Sequence, residues 1–308
     1  MTEGKMNERT VKKALFAWII LALSVSIFAS PLSRSAEGSV RATEDLLAVA
    51  ESAGAEEIAR LIREGADLNA AGQFGNTPFM LAAGRNTDPE VLLLFIEHGA
   101  DVNTARNVGR TPLWNAAWGN SNPEILRILI EHGADVNLAD GDGWTPLIQA
   151  AWSNGNPEIF RVLIENGADI EAVDRSGQTA LMNAAQSGHS NLEVLRVLIE
   201  NGADVNAVTN NNRTALMLAA WRSNNPEILL FLIESGADIN AANGSGVTPL
   251  MYAANRDNPD ILRVLIESGA DVAIKNNDGK TALDRAEEND DLRGTDAYNL
   301  LREKTLSQ

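Results

Sequence analysis

The stretch TPLWNAAWGNSNPEILRILIEHGADVN, residues 111–137, contains the rule by which most of the chain is built. Thr111 is an N-cap residue, and Pro112 follows at the first helical position, where a missing N–H costs nothing. The helix is short. After Leu113 and the pair Ala116-Ala117 it ends at Trp118-Gly119, and Asn122-Pro123-Glu124 starts another. Ile125, Leu126, Leu129 and Ile130 then recur at helical spacing until Gly133, which suits the left-handed position just past a helix end. A large indole at the end of the first helix, beside a polar loop, calls for a reason.

The same pattern returns along the chain. Gly-Ala-Asp begins at Gly65, Gly99, Gly133, Gly167, Gly202, Gly236 and Gly269, at intervals of 33 to 35 residues. A fixed period in this range marks a solenoid. Capping threonines stand at 77, 111, 145, 179, 214, 248 and 281, and a turn glycine precedes them by two residues, as in Gly109 and Gly143. Asn212 replaces that glycine once, and asparagine tolerates the same backbone. The predicted unit is hairpin, helix, loop, helix, and the predicted class is all-α.

The motif G-x-T-P-L-x-x-A-A followed by G-A-D-V-N resembles the ankyrin repeat, over residues 43–308. The resemblance implies an ankyrin-repeat solenoid of about eight helix-turn-helix repeats with β-hairpin fingers. Residues 43–72 read as the N-terminal cap, 73–276 as six internal repeats and 277–308 as the C-terminal cap. Where the family often places histidine after Thr-Pro-Leu, this chain has Met80, Trp114, Ile148, Met182, Met217, Met251 and Asp284. A buried polar link between repeats is thus expected to give way to apolar packing.

Residues 1–35 are of another kind. Lys5, Arg9, Lys12 and Lys13 precede the apolar run ALFAWIILALSVSIF, the pattern of an export signal, with Ser33-Arg34-Ser35 as a small-x-small cleavage site. An uncleaved membrane anchor is the alternative, since the run is just long enough to span a bilayer. Either reading exports the repeats, to the periplasm or outside the cell, with residues 36–42 as a linker. The whole chain carries −17; residues 1–35 hold five basic and two acidic side chains, which leaves the remainder at −20.

That acidity argues against nucleic acid as a partner, because phosphate affinity comes from clustered Lys and Arg. The absence of cysteine excludes disulfides, thiolate metal sites and cysteine nucleophiles. His98 and His132 share a helix-end slot, and His189 falls in the longest loop. The carboxylates recur with the repeat, as turn residues (Asp101, Asp135) and on the second helices (Glu131, Glu165), whereas a general acid/base pair would be unique. No catalytic residue, cofactor or metal site is expected.

Function is sought where the repeats differ from one another. By resemblance, ankyrin domains bind proteins on a concave face made of finger tips and first-helix ends. Across the corresponding 33 slots there are seven basic and two acidic residues, although the whole chain has 25 basic and 42 acidic. Trp118, Trp144, Trp152 and Trp221 occupy these slots with Arg110, Arg213 and Arg222. The slot of Trp118 holds Gly84, Gln186 or Asn255 in other repeats, so the indole is not required by the repeat's own core. Trp and Arg are the residues enriched in interface hot spots. These seven residues are the expected contact set for a protein partner with an acidic and apolar patch, bound by a monomer. An immunity or inhibitor protein for a secreted enzyme, or a membrane-tethered scaffold, would use the same surface.

Overall fold

The computed structural model describes residues 31–307 apart from Asn107 and Ser190. The proposed signal segment therefore lies outside the described residues, except for its last few positions. Among the described residues the chain forms eight helix pairs: α1 (Pro31–Val49) with α2 (Ala55–Arg63), α3 (Pro78–Arg85) with α4 (Pro89–Glu97), α5 (Pro112–Gly119) with α6 (Pro123–Glu131), and α7 (Pro146–Ser153) with α8 (Pro157–Glu165). The series continues with α9 (Ala180–Gln186) and α10 (Leu192–Glu200), α11 (Ala215–Arg222) and α12 (Pro226–Glu234), α13 (Pro249–Ala253) and α14 (Pro259–Glu267), then α15 (Ala282–Glu287) and α16 (Asp296–Leu306). It is an all-α solenoid.

The helix starts are as the sequence requires. Each of the threonines Thr77, Thr111, Thr145, Thr179, Thr214 and Thr248 accepts a hydrogen bond from the backbone N–H three residues on. Asp88, Asn122 and Asn156 cap the second helices in the same manner, accepting from the N–H two residues on. Gly133 ends α6 at φ 90°, which satisfies the last carbonyls without a Cβ penalty.

Paired alanines make the stack possible. Ala116 and Ala117, Ala150 and Ala151, Ala184 and Ala185, and Ala219 and Ala220 are all buried, so successive first helices lie close together. Leu126, Leu129, Phe160, Leu163, Leu195 and Leu198 fill the space between the two helix rows. Met80, Trp114, Ile148, Met182, Met217 and Met251 are buried too, so the slot expected to pack apolar side chains does so.

Two expectations need correction. Residues 36–42, expected as a linker, are helical: α1 runs through them without a break, Ala42 is buried, and Ser39 Oγ donates to the Gly65 carbonyl. The first pair therefore begins before Thr43, because this segment has a core-facing residue and a partner in α2's end. The fingers also lack strands among the described residues, except for an isolated bridge between Arg106 and Arg110. Each finger is instead a tight turn closed by two backbone bonds that share one residue, as from Asp140 N–H to the Trp144 carbonyl and from Gly143 N–H to the Asp140 carbonyl. The side chains of Asp140 and Asp174 accept N–H groups two and four residues on, doing the work that a second rung of a ladder would do.

Buried polar links between repeats exist, but not in the histidine slot. Asn86, Asn120 and Asn154, each after a first helix, donate both side-chain hydrogens to carbonyls of the preceding repeat. Asn289 repeats this in the last pair. At the equivalent positions Ser187 and Ser223 bond only within their own loops among the described residues. A second set runs between finger bases: Asn103 and Asn137 each donate to the glycine carbonyl and accept from the aspartate N–H of the next Gly-Ala-Asp.

On the second helices, Arg127 meets Glu158 at 2.6 Å and Arg161 meets Glu193 at 2.5 Å. The ion pairs from one second helix to the next stop at Arg196, which pairs with Glu193 on its own helix at 3.5 Å and lies 5.3 Å from the Phe231 ring centroid of the next.

Candidate functional site

Stacking in register brings the finger turns and the ends of the first helices to one face. The first helices are only two turns long, so the residue directly after the paired alanines reaches the edge of the stack. Trp118, Trp152 and Trp221 stand there, and they are 45, 36 and 36% exposed. Their neighbour in sequence order, Trp114, is 4% exposed and belongs to the core.

The indoles are held by neighbours on the same face. Trp144, on a finger, packs edge-on against Trp152 with ring centroids 6.1 Å apart. Trp221 lies 6.2 Å from the Tyr252 ring. Guanidinium groups cover the rings: Arg85 over Trp118 at 5.6 Å, and Arg213 and Arg222 over Trp221 at 5.5 and 4.6 Å. A cation near a ring face is attracted by the ring quadrupole, by about 0.5–1 kcal/mol at exposed sites.

Arg110 has a different setting. It sits 4.3 Å from the Trp114 ring centroid and 3.7 Å from the carboxylate of Asp140, which is itself buried. The indole N–H of Trp114 is buried without a partner among the described residues. Arg110 is thus tied into the repeat framework on one side while its outer edge remains exposed.

These residues line two adjoining depressions. One, of about 570 Å³, is bordered by Arg110, Trp118, Asp140, Asp142, Trp144 and Trp152. The next, of about 490 Å³, is bordered by Trp144, Trp152, Gln186, Arg213, Trp221 and Arg222. All seven residues expected from the sequence therefore fall on one strip, with Trp144 and Trp152 shared between the two halves.

Phe74 and Arg85 belong to the 33 variable slots but not to the seven expected contacts, and Tyr252 lies outside those slots. Phe74 is 79% exposed on the first finger and has φ 66°, a conformation costly for a side chain with a Cβ. Its signal was available: it is the only aromatic among the residues just before the turn glycine. Arg85 falls in the same slot as Arg222, two residues after the paired alanines, and the structure adds its place over Trp118.

Among the described residues no group of His, Asp and Glu is placed to hold a metal ion. His98 and His132 bond through Nδ1 to carbonyls one turn back, Leu94 at 2.8 Å and Ile128 at 2.7 Å, as helix-end residues. No helix among the described residues is long and apolar enough to cross a membrane, and the candidate segment lies almost wholly outside them.

A search of curated proteins gave no match. The family model described as "Ankyrin repeats (3 copies)" matches residues 46–140, 86–174, 147–243 and 222–305. Those overlapping matches follow the same helix pairs, capping threonines and Gly-Ala-Asp ends from one end of the solenoid to the other. The chain belongs to the ankyrin-repeat family.

Proposed function

We propose that this protein is an exported interaction module that holds another protein against the strip carrying Trp118, Trp152 and Trp221. Ankyrin repeats are generally protein–protein interaction modules, which gives the class. The observation that carries the face is the exposure of three indoles in a slot where other repeats hold Gly84, Gln186 or Asn255. A side chain the repeat does not need, left partly exposed and clustered with arginines, is well suited to a partner. Export rests on the basic-then-apolar start of the chain. The reaction class is binding, and no cofactor is required.

The test is capture with two forms of the full chain. The triple variant Trp118→Ala, Trp152→Ala, Trp221→Ala should melt close to the parent and lose the protein that the parent retains. A variant that keeps the same captured protein places the contact elsewhere, on the acidic second-helix face. Export is checked by a reporter fused after Gln308 that works only in the cytoplasm; activity there removes that part of the reading.

A further inference from the structure

The depression between Trp152 and Trp221 differs from its neighbour in charge. Its lining has two arginines, Arg213 and Arg222, and no carboxylate. That is against the grain of a chain with 42 acidic and 25 basic side chains. Next door, Arg110 lies 3.7 Å from Asp140, and Arg175 lies 2.9 Å from Asp142. Arg213 and Arg222 have no carboxylate within ion-pair distance among the described residues, and both lie against the Trp221 ring instead.

Two like charges on one ring repel each other, and each stacked guanidinium keeps N–H donors directed away from the ring. Such a pair is a donor site for an anion of planar, forked shape. The floor is polar: the Gln186 side-chain amide donates to that of Gln178. Gln186 occupies the tryptophan slot of its repeat, so the depression is a missing indole between two present ones. At about 490 Å³ it has room for a side chain and its neighbours, not for a folded element.

Resting on the function proposed above, we propose that this depression receives an Asp or Glu side chain of the partner, presented on an extended segment. The carboxylate lies between Arg213 and Arg222, and an adjacent apolar residue packs on Trp152. An extended segment fits because the depression continues on both sides, past Trp144 to the first and past Asn211 and Tyr252 to a third. A nucleic-acid strand fits less well, because its phosphates would pass Asp142 in the adjoining depression.

A random-peptide display library panned on the full chain tests this. The expected result is selected peptides enriched in Asp or Glu next to an apolar residue. Changing that acid to its amide should weaken binding at least about tenfold. The same change should have little effect on binding to the Arg213→Gln, Arg222→Gln variant, a double-mutant cycle that isolates the contact. Because the amide swap is read on the parent protein, the result stands even if the arginine variant folds poorly. Selected peptides without an acid, or an equal loss in both proteins, overturn the carboxylate pocket and leave the interaction face intact. No enrichment over an empty matrix, or binding of oligonucleotides alone, overturns the pocket and the proposed function together.

Discussion

Asn120 Nδ2 donates to the main-chain carbonyl of Asn86 at 2.8 Å, and Asn154 repeats the contact one repeat on by donating to the carbonyl of Asn120. Each of these asparagines satisfies buried carbonyls that the short first helix leaves without an intrahelical donor. Asn120→Ala is therefore expected to destabilise the domain by about 1–3 kcal/mol, because it strands two buried acceptors. Denaturant unfolding measures it; a change below a few tenths of a kcal/mol would show that water replaces the amide.

Trp114 and Trp118 lie one turn apart and should behave oppositely. Trp114 is buried under Arg110, so Trp114→Ala is expected to cost about 3–5 kcal/mol. Trp118 is half in water, and Trp118→Ala removes little beyond its stacking with Arg85, about 0.5–1 kcal/mol. Thermal melts of the two single variants decide the matter. Equal losses would make Trp118 part of the core.

The ion-pair row on the second helices is exposed and should depend on salt. Arg161 touches both Glu158 and Glu193, yet Arg161→Ala is expected to cost no more than about 1 kcal/mol. The loss should shrink as ionic strength rises and the Debye length falls. A loss that is unchanged in high salt would point to packing of the arginine stem instead.

The closing helix pair carries a carboxylate whose charge matters. Asp284 is held below its ordinary value of 3.8, first by the Thr281 backbone N–H and then by the Thr281 hydroxyl, in a capping box at the start of α15. A carboxylate depressed in the folded state stabilises it above the unfolded value, and that contribution disappears as pH falls below about 3.8 through the folded value. Asp284→Asn should therefore lower the melting temperature at neutral pH and leave it nearly unchanged in strong acid. An equal loss at both ends of the pH range would assign the effect to shape rather than charge.

Much of the fold could be read because each repeat has to solve the same local problems. Thr111 and Asn122 announce helix starts, Gly133 announces an end, and Ala116-Ala117 announces a close approach; each depends only on near neighbours. The asparagine links escaped because Asn86 and Asn120 look like ordinary loop residues until the stack places one carbonyl beside the next amide. Strand pairing in the fingers was expected from the resemblance and is absent among the described residues, since five-residue turns such as Asp140–Trp144 leave room for one rung. The candidate strip was visible as a departure from the repeat, in Trp118, Trp152 and Trp221. The arginine–indole stacking was not, because Arg85 and Trp118 meet only across two repeats.

The solenoid is an unevenly wound spring. Where Ser187 and Ser223 take the asparagine position, the loops of two adjacent repeats are joined by no side-chain bond among the described residues, and the ion-pair row stops at Arg196 in the same place. The front helices α9 and α11 stay pressed together through Ala184, Ala185, Ala219 and Ala220, so they form the pivot and the far side gives. Bending is therefore expected to concentrate at one coil, beneath the gap between Trp152 and Trp221, with the width of that gap as the spring's travel. Ser223→Asn restores the amide at a loop whose spacing to its proline matches that of Asn120. It should stiffen this coil, seen as slower amide hydrogen exchange in α10 and α12 with the other repeats unchanged. If exchange in α10 and α12 is already as slow as in α6 and α8, the spring is uniform and the gap has a fixed width.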